Sequence, residues 1–334
     1  MKRNMKEWAL ALMNNPKRPA LPLMTHPGIE LIGKHVIDAV TDGEVHYEAI
    51  KALYDRYPEV AACMIMDLSV EAEAFGATVN FEQDANPTVV GRLVADAEQI
   101  NALGIPPVES GRIPQILKAV KLASENLDIP VLAGCIGPYS LAGRLYDITE
   151  MMMGIYIDPD AMRVLLDKCT RFLISYCKAL KAAGANGVVM AEPAAGLLSD
   201  NDCRQFSSEY VKQIVDAVQD DNFMVILHNC GNTGHCTGAM VATGAMAYHF
   251  GNSIDMADAL AGCGEDVLVM GNLDPAGVFR MADAQTVYDK AKSLLDNFGA
   301  HRNFILSSGC DIPPGVPVEN IEAFYRALND YNNR

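Results

Sequence analysis

The sequence predicts an α/β fold of the (β/α)8 barrel class with an N-terminal helix. Eight short apolar runs are each followed by a polar or glycine turn and then by a helical pattern. The runs are almost continuously apolar, as is typical of strands buried on both faces in a parallel sheet. A doubly wound open sheet is the alternative, but the glycine-rich phosphate loop expected after its first strand is absent. The predicted strands are Leu21–Thr25, Ala62–Ser69, Pro130–Ile136, Gly187–Glu192, Phe223–His228, Met246–Gly251, Val267–Asn272 and Phe304–Ser308.

The helical segments have recognisable boundaries. Asn4 to Met13 reads as an amphipathic helix. Thr41 and Glu44 have the spacing of a capping box at the start of another helix. The longest apolar stripe follows Asp158-Pro159, an N-cap and first-turn proline, and Gly184 supplies its C-cap. Further helices are predicted at 200–218, 253–261, 283–297 and 318–329.

The segment between the second and third predicted strands, residues 70–128, is much longer than an ordinary strand-to-helix connection. We expect it to carry helices, such as residues 114–126, and to cover part of the barrel mouth. The chain has no low-complexity tract and no linker rich in proline, glycine or serine. It therefore predicts one barrel domain over residues 1–334.

Charge and cysteine usage narrow the function classes. The 334 residues include 26 Lys and Arg against 42 Asp and Glu, a formal charge of −16. So acidic a chain is not expected to bind nucleic acid or an anionic membrane. It also lacks an apolar run of about 18 residues. Asn14 and Asn15 interrupt the first apolar stretch, so no signal peptide is predicted. Nine scattered cysteines indicate a reduced, cytoplasmic protein.

The clearest candidate site is a set of zinc ligands. Active sites of such barrels lie at the carboxyl ends of the strands. The fifth predicted strand ends in His228, with Cys230 two residues later, and in extended chain both side chains reach one point. Cys310 follows the eighth strand at the same end. Imidazole and thiolates suit zinc, and three protein ligands leave one position open, as in catalytic sites.

A local four-ligand alternative also exists. His235 and Cys236 follow within a glycine-containing loop, and with His228 and Cys230 they could form a closed metal site. We rank it lower because this loop is predicted to lead away from the strand ends, into the next helix.

Two carboxylates are candidate catalytic residues. Glu192 ends an apolar strand, where a carboxylate is costly without a partner. It is a candidate fourth zinc ligand or base, or else a cap for the helix that begins near Ser199. Asp67 lies near the end of the second predicted strand and could contact substrate or hold loop backbone. The same two interpretations apply to Asp274, while His26 is read as a site residue or a loop residue.

Four motifs resemble the uroporphyrinogen decarboxylase superfamily over residues 20–330. They are Gly-Pro-Tyr-Ser-Leu-Ala at 137–142, an Asp-(x)3-Glu-Ala-Glu stretch from residue 67, His-Asn-Cys-Gly-Asn at 228–232 and Ser-Gly-Cys-Asp-Ile-Pro-Pro at 308–314. The last two resemble its methyltransferase branch, which moves a methyl group between a corrinoid cobalt and a thiol. The resemblance implies that His228, Cys230 and Cys310 bind zinc.

One departure favours that branch over decarboxylation. The decarboxylases carry an arginine-bearing motif after the first strand, whereas residues 24–30 here contain no arginine. A substrate with eight carboxylates needs fixed cations, and we expect few beyond Arg144 and Lys34 near the mouth.

The resulting prediction is a zinc-dependent methyltransferase. It would use a corrinoid, free or on a partner protein, with a small-molecule methyl donor or acceptor. A thiol acceptor would take the open zinc position and lose its proton; in a demethylase, zinc would act on the leaving oxygen. The alternatives are a decarboxylase-like tetrapyrrole enzyme and a non-catalytic barrel that binds a corrinoid or tetrapyrrole.

Overall fold

A computed structural model describes residues 3–334. Within that range, seven strands form one parallel sheet in the order β1-β4-β5-β6-β7-β8-β9, and β2 and β3 form a separate antiparallel hairpin. The order runs in one direction without the reversal that a doubly wound sheet requires. The strands are β1 Ala62–Cys63, β2 Thr78–Glu82, β3 Ala85–Val90, β4 Val131–Ile136, β5 Gly187–Ala191, β6 Met224–Asn229, β7 Ala247–Phe250, β8 Leu268–Leu273 and β9 Phe304–Ser308.

Helices connect these strands, and short 3-10 or π segments occur at Pro193–Leu197, Arg204–Ser208 and Pro275–Arg280. The alternation of parallel strands with helices confirms the predicted α/β class. The α-helices are α1 Met5–Met13, α2 His26–Leu31, α3 Val36–Thr41, α4 Gly43–Arg56, α5 Val70–Ala74, α6 Ala97–Ala102, α7 Ile113–Asn126, α8 Pro138–Tyr146, α9 Ile148–Ile157, α10 Pro159–Ala183, α11 Asp200–Cys203, α12 Glu209–Val218, α13 Thr237–Val241, α14 Met256–Cys263, α15 Ala284–Phe298 and α16 Val318–Asn332.

The sheet is curled and barrel-like. One apolar cluster contains side chains from all seven strands, together with Leu21 and Leu23, and α1 packs against the same cluster through Met5 and Leu12. A larger cluster lies between the outer face of the sheet and the helices. Every strand of the parallel sheet is thus apolar on both faces, which explains the continuous runs in the sequence.

The first apolar run departs from the prediction because it is not a strand. It meets β9 through a single parallel bridge between Ala20 and Leu306. Beyond the bridge, the Leu23 N–H donates to the Ser308 hydroxyl, and the Thr25 N–H donates to the Asp311 carboxylate. Side chains therefore satisfy this segment in place of a regular backbone ladder.

The second run forms only a two-residue strand. After Cys63, the Ile65 N–H donates to Nε2 of the buried His46 at 2.9 Å. A side chain from α4 thus takes a backbone donor on the edge of β1 that faces away from β4, whereas the N–H groups of Ala62 and Met64 donate toward β4.

Helix boundaries follow the sequence signals with one exception. The Asp158 side chain accepts from the Ala161 N–H at the start of α10, and Gly184 ends that helix with φ of 110°. The predicted capping box of Thr41 and Glu44 is wrong. Asp42 is the cap of α4, and its carboxylate accepts from the Glu44 N–H, whereas the Thr41 hydroxyl bonds back to the Ile37 carbonyl.

The long segment from residue 70 to residue 128 holds α5, the β2–β3 hairpin, α6 and α7. Three hairpin residues, 86–88, line a cavity at the carboxyl ends of the strands. No helix between residues 3 and 334 combines the length and apolarity that a membrane span requires.

Candidate metal centre

His228, Cys230 and Cys310 converge at the carboxyl ends of two strands. His228 is the second-last residue of β6, where it pairs in register with Ala191 of β5 and His249 of β7. Cys230 follows β6, and Cys310 follows β9. In the described part of the chain, this is the one group of three or more His, Cys, Asp or Glu side chains whose potential ligand atoms all lie within 4.8 Å of one another.

The spacing of these atoms fits a tetrahedral zinc ion. The Cys310 Sγ lies 3.6 Å from the His228 Nε2. A Zn–S bond of about 2.3 Å and a Zn–N bond of about 2.0 Å at a tetrahedral angle place sulfur and nitrogen about 3.5 Å apart, close to this distance. His228 is 1% exposed, while both cysteines are partly exposed, so the open side of the group faces the cavity.

The two thiols form a pair in which one is predisposed to lose its proton. A hydrogen bond from the Cys310 thiol lowers the pKa of Cys230 to about 4, although burial opposes the shift, and His228 contributes in the same direction. The same contact with Cys230, together with burial, raises the pKa of Cys310. A thiolate is the form that binds a metal, so the site already favours one ligand in its reactive state.

Sequence reasoning missed His249, the side chain behind His228. The Nδ1 atoms of the two rings are 2.8 Å apart, and the His228 Nδ1 also lies 3.3 Å from the His249 carbonyl oxygen. The other His249 nitrogen, Nε2, lies 2.8 Å from the Ser307 hydroxyl. The available signal was a histidine inside the apolar run of β7, where a buried polar group needs a partner.

Glu192 is buried at 2% exposure, and backbone donors occupy its carboxylate. The N–H groups of Tyr139 and Ser140, at the start of α8, donate to its two oxygens at 3.0 and 2.6 Å. A Cβ on Gly137 would come within 2.4 Å of the carboxylate, so this close approach requires glycine. Burial raises the pKa of Glu192 to about 7 against these hydrogen bonds.

This placement corrects one interpretation of Glu192. The Glu192 carboxylate caps α8 and not the helix that begins near Ser199. That helix, α11, is capped by Ser199 itself, whose hydroxyl accepts from the Asp202 N–H. Its role as fourth ligand or base stays a prediction.

Asp67 is held by its own loop and by Arg112. One oxygen accepts from the N–H and hydroxyl of Ser69, and the other lies 2.5 Å from an Arg112 guanidinium nitrogen. Arg112 also donates to Glu73 at 2.6 Å. These contacts match the loop-holding interpretation of Asp67, and its catalytic role stays a prediction.

His26 and Asp274 are also bound to protein groups. The His26 Nδ1 contacts the Ile312 carbonyl and the Asp311 carboxylate, and Nε2 lies 2.9 Å from the Asn86 side-chain oxygen. Burial alone would lower the pKa of His26, but the Asp311 charge and these hydrogen bonds together raise it to about 9. Asp274 accepts from two backbone N–H groups of the segment that follows β8.

The alternative four-ligand set does not assemble. The His235 Nε2 donates to the Leu198 carbonyl, its Nδ1 contacts the Thr233 hydroxyl, and the Cys236 thiol faces the Ala195 and Leu198 carbonyls. His235 and Cys236 therefore lie away from the group formed by His228 and Cys230, as their loop position suggested.

The metal-ligand group opens into a cavity of about 220 Å³. Arg144 is the one arginine or lysine among the described residues that line it, and Leu68 and Pro193 belong to its apolar wall. These three residues also line a neighbouring cavity of about 370 Å³. The expected cation Arg144 is therefore at the site, whereas Lys34 lines a different cavity, beside Arg280.

Comparisons with known proteins identify two kinds of relative. The family model described as uroporphyrinogen decarboxylase (URO-D) matches residues 16–331. The methylcobamide:CoM methyltransferase MtbA of Methanosarcina mazei is 30% identical over 270 residues, which cover 79% of this chain and 78% of its own. The uroporphyrinogen decarboxylase of Serratia proteamaculans is 28% identical over 286 residues, covering 82% of this chain and 79% of its own.

Solved structures share the fold. A methyltransferase from Methanosarcina mazei superposes with a TM-score of 0.88 at 24% identity, covering 98% of this chain and 99% of its own. A B12-independent methionine synthase from Shewanella sp. W3-18-1 gives a TM-score of 0.59 at 15% identity, covering 97% of each chain. At these identities the two structures support the barrel-like architecture alone.

Proposed function

We propose, from the premise that this chain belongs to the uroporphyrinogen decarboxylase family, that it is a corrinoid-dependent methyltransferase with a zinc ion at its centre. The observation that carries the proposal is the convergence of His228, Cys230 and Cys310 at one cavity, with atom spacing that suits tetrahedral zinc. The similarity to a methylcobamide:CoM methyltransferase over 79% of the chain supports the same class.

The proposed division of labour follows from the contacts. His228, Cys230 and Cys310 would hold the metal and leave one side open to the cavity. Zinc at this position would supply a positive centre that lowers the pKa of a thiol substrate or polarises a leaving oxygen. Arg144, whose guanidinium group makes no hydrogen bond or ion pair with residues 3–334, would orient a small methyl donor or acceptor beside it. Hairpin residues 86–88 would shield the reacting groups from water.

The same cavity argues against decarboxylation of an octa-anionic tetrapyrrole. Its lining offers Arg144 as a fixed cation and places the Asp311 carboxylate close by. Eight carboxylates would meet repulsion without matching donors. The three metal-binding side chains would also have no task in that reaction.

The proposal also covers the architecture, the methyl carrier and the cellular compartment. We propose a closed eight-membered barrel, with residues 20–25 as its irregular eighth member, and a single domain. The methyl carrier would be a corrinoid, free or on a partner protein. A reducing cytoplasm suits the nine cysteines, all of which are free thiols.

The test combines metal analysis with two reactions. Protein loaded with zinc should contain about one zinc per chain by metal analysis. With a panel of thiols it should remove the methyl group from methylcobalamin, and the absorbance spectrum of the cobalamin reports this reaction. The Cys310→Ala variant should lose both properties and keep the wild-type circular dichroism spectrum. Formation of coproporphyrinogen from uroporphyrinogen at similar rates in wild type and Cys310→Ala would overturn the proposal and favour the decarboxylase.

A further inference from the structure

A chain of buried hydrogen bonds runs from the metal-ligand group to the segment beside β9. The His228 Nδ1 lies 2.8 Å from the His249 Nδ1. The His249 Nε2 lies 2.8 Å from the Ser307 hydroxyl oxygen. That hydroxyl in turn donates to the Leu21 carbonyl oxygen at 2.7 Å.

The donors and acceptors in this series of hydrogen bonds can be assigned because Ser307 has a single hydroxyl hydrogen. Since that hydrogen goes to the Leu21 carbonyl, the Ser307 oxygen accepts from the N–H at the His249 Nε2. In a neutral His249 ring the Nδ1 atom then carries the lone pair, so it accepts from the His228 Nδ1–H. The His249 carbonyl, 3.3 Å from the His228 Nδ1, can accept only from the same N–H.

This assignment leaves one atom of His228 free. With its hydrogen at Nδ1, the neutral ring presents a lone pair at Nε2, the atom that lies 3.6 Å from the Cys310 Sγ. A metal ligand must present such a lone pair, and the partner of the other ring nitrogen determines which nitrogen does so.

The three side chains have little freedom to rearrange. His228, His249 and Ser307 are at most 1% exposed. His228 and His249 are direct register partners on β6 and β7, and their rings meet edge to face with centroids 4.7 Å apart. Because these side chains lie on strands rather than loops, the backbone ladder sets their separation.

We propose that His249 and Ser307 are positioning residues that hold His228 in the tautomer with a free Nε2 lone pair. This inference rests on the proposed function only for the identity of the ion that uses the lone pair. The tautomer itself is a property of the metal-free chain.

The first measurement reads the tautomers directly, without metal. In protein labelled with ¹⁵N-histidine, long-range ¹H–¹⁵N spectra should show His228 protonated at Nδ1 and His249 protonated at Nε2. His228→Gln and His249→Asn variants assign the signals among the seven histidines. A His228 ring protonated at Nε2, or a His249 ring protonated at Nδ1, would overturn the proposal.

The second measurement compares variants of similar size by competition for zinc with a chelator. His249→Leu removes the acceptor and should weaken zinc binding about 10- to 100-fold, the usual range for loss of such a partner. His249→Asn offers an amide oxygen near the Nδ1 position and should recover part of the affinity. Ser307→Ala should lose less than His249→Leu and shift the His249 nitrogen signals. Wild-type zinc affinity in a folded His249→Leu variant would contradict the positioning role.

The two measurements separate the possible failures. If wild-type protein binds no zinc but the tautomers are as stated, the proposed metal centre fails and the hydrogen-bond chain stands. If zinc binds and the tautomers are reversed, the metal centre stands and the role of His249 and Ser307 is lost. Thermal unfolding of each variant checks that it is folded.

Discussion

Two groups of one histidine and two cysteines lie on the loop side of the sheet, yet only one has the geometry of a metal site. The barrel-mouth cluster consists of His228, Cys230 and Cys310, with all three ligand atoms within 4.8 Å. The loop cluster consists of Cys203, His235 and Cys236, in which a hydrogen bond from Cys203 lowers the pKa of Cys236. Both clusters thus pair two thiols, one of which is predisposed to ionise.

The difference lies in what the histidine does with its second nitrogen. In the loop cluster, His235 donates from Nε2 to the Leu198 carbonyl and uses Nδ1 for the Thr233 hydroxyl, so no lone pair remains. In the barrel-mouth cluster, protein groups occupy the His228 Nδ1, and Nε2 faces a thiol. Residue types alone therefore do not define a metal site; the partners behind the ligands do.

The largest effect that would test this contrast is loss of zinc on changing one thiol. Cys230→Ser should weaken zinc binding more than about 100-fold, because loss of a ligand should exceed the 10- to 100-fold effect of losing an outer partner. Cys236→Ser, the matched change in the loop cluster, should leave zinc affinity unchanged. Chelator competition measures both. Equal losses in the two variants would show that the loop cluster shares the metal.

A second test concerns His26, a nearby histidine that cannot be a ligand while both its nitrogens donate. Its folded pKa of about 9 lies above the usual value of 6.5. Its contribution to the free energy of unfolding is therefore full below pH 6.5 and is lost as the pH rises through about 9. The loss should be roughly 2–3 kcal/mol.

His26→Gln should remove this part of the pH dependence, measured by urea unfolding at pH 6 and pH 9.5. His35→Gln is the matched control, because His35 is half exposed and contacts Asp84 at the surface. Equal losses in the free energy of unfolding for wild type and His26→Gln over this range would contradict a charged His26 at neutral pH.

The smallest expected effect is the change with pH in the rate at which Cys230 is alkylated. In metal-free protein, Cys230 should react with iodoacetamide at a rate that changes less than about threefold from pH 5 to pH 8, because its lowered pKa keeps it a thiolate. An ordinary thiol would gain roughly 1000-fold over the same range. Peptide mapping by mass spectrometry follows the site, and added zinc should protect it. A steep rise for Cys230 would remove the electrostatic difference between this thiol and an ordinary one.

The sequence identified those site residues whose placement depends only on their position along a strand. His228, Cys230 and Cys310 could be grouped because parallel strands bring their carboxyl ends to one edge. His249 could not be paired with His228, because their contact depends on the register between β6 and β7, which the runs do not specify. Nor could the contact of Glu192 with α8 be foreseen. It depends on β4 and β5 being neighbours that place the Gly137 backbone beside the carboxylate.

The first apolar run shows a further limit. Its composition matches a strand, but the Ser308 and Asp311 side chains take the donors at Leu23 and Thr25. Such substitutions of a ladder by side chains depend on residues far along the chain and leave no local pattern.

The contact between Ser307 and the Leu21 carbonyl joins residues 286 positions apart. During synthesis, at about 5–20 residues per second, the amino-terminal segment waits many seconds for its partner. Cys310 emerges after Ser307, so a nascent chain can hold His228 and Cys230 but cannot complete the cluster. If the proposed zinc site is right, metal capture would be postponed until the last strand has left the ribosome. A ribosome-bound chain stalled before β9 would present His228 and Cys230 alone, so zinc bound by all three side chains would mark a chain that has finished folding.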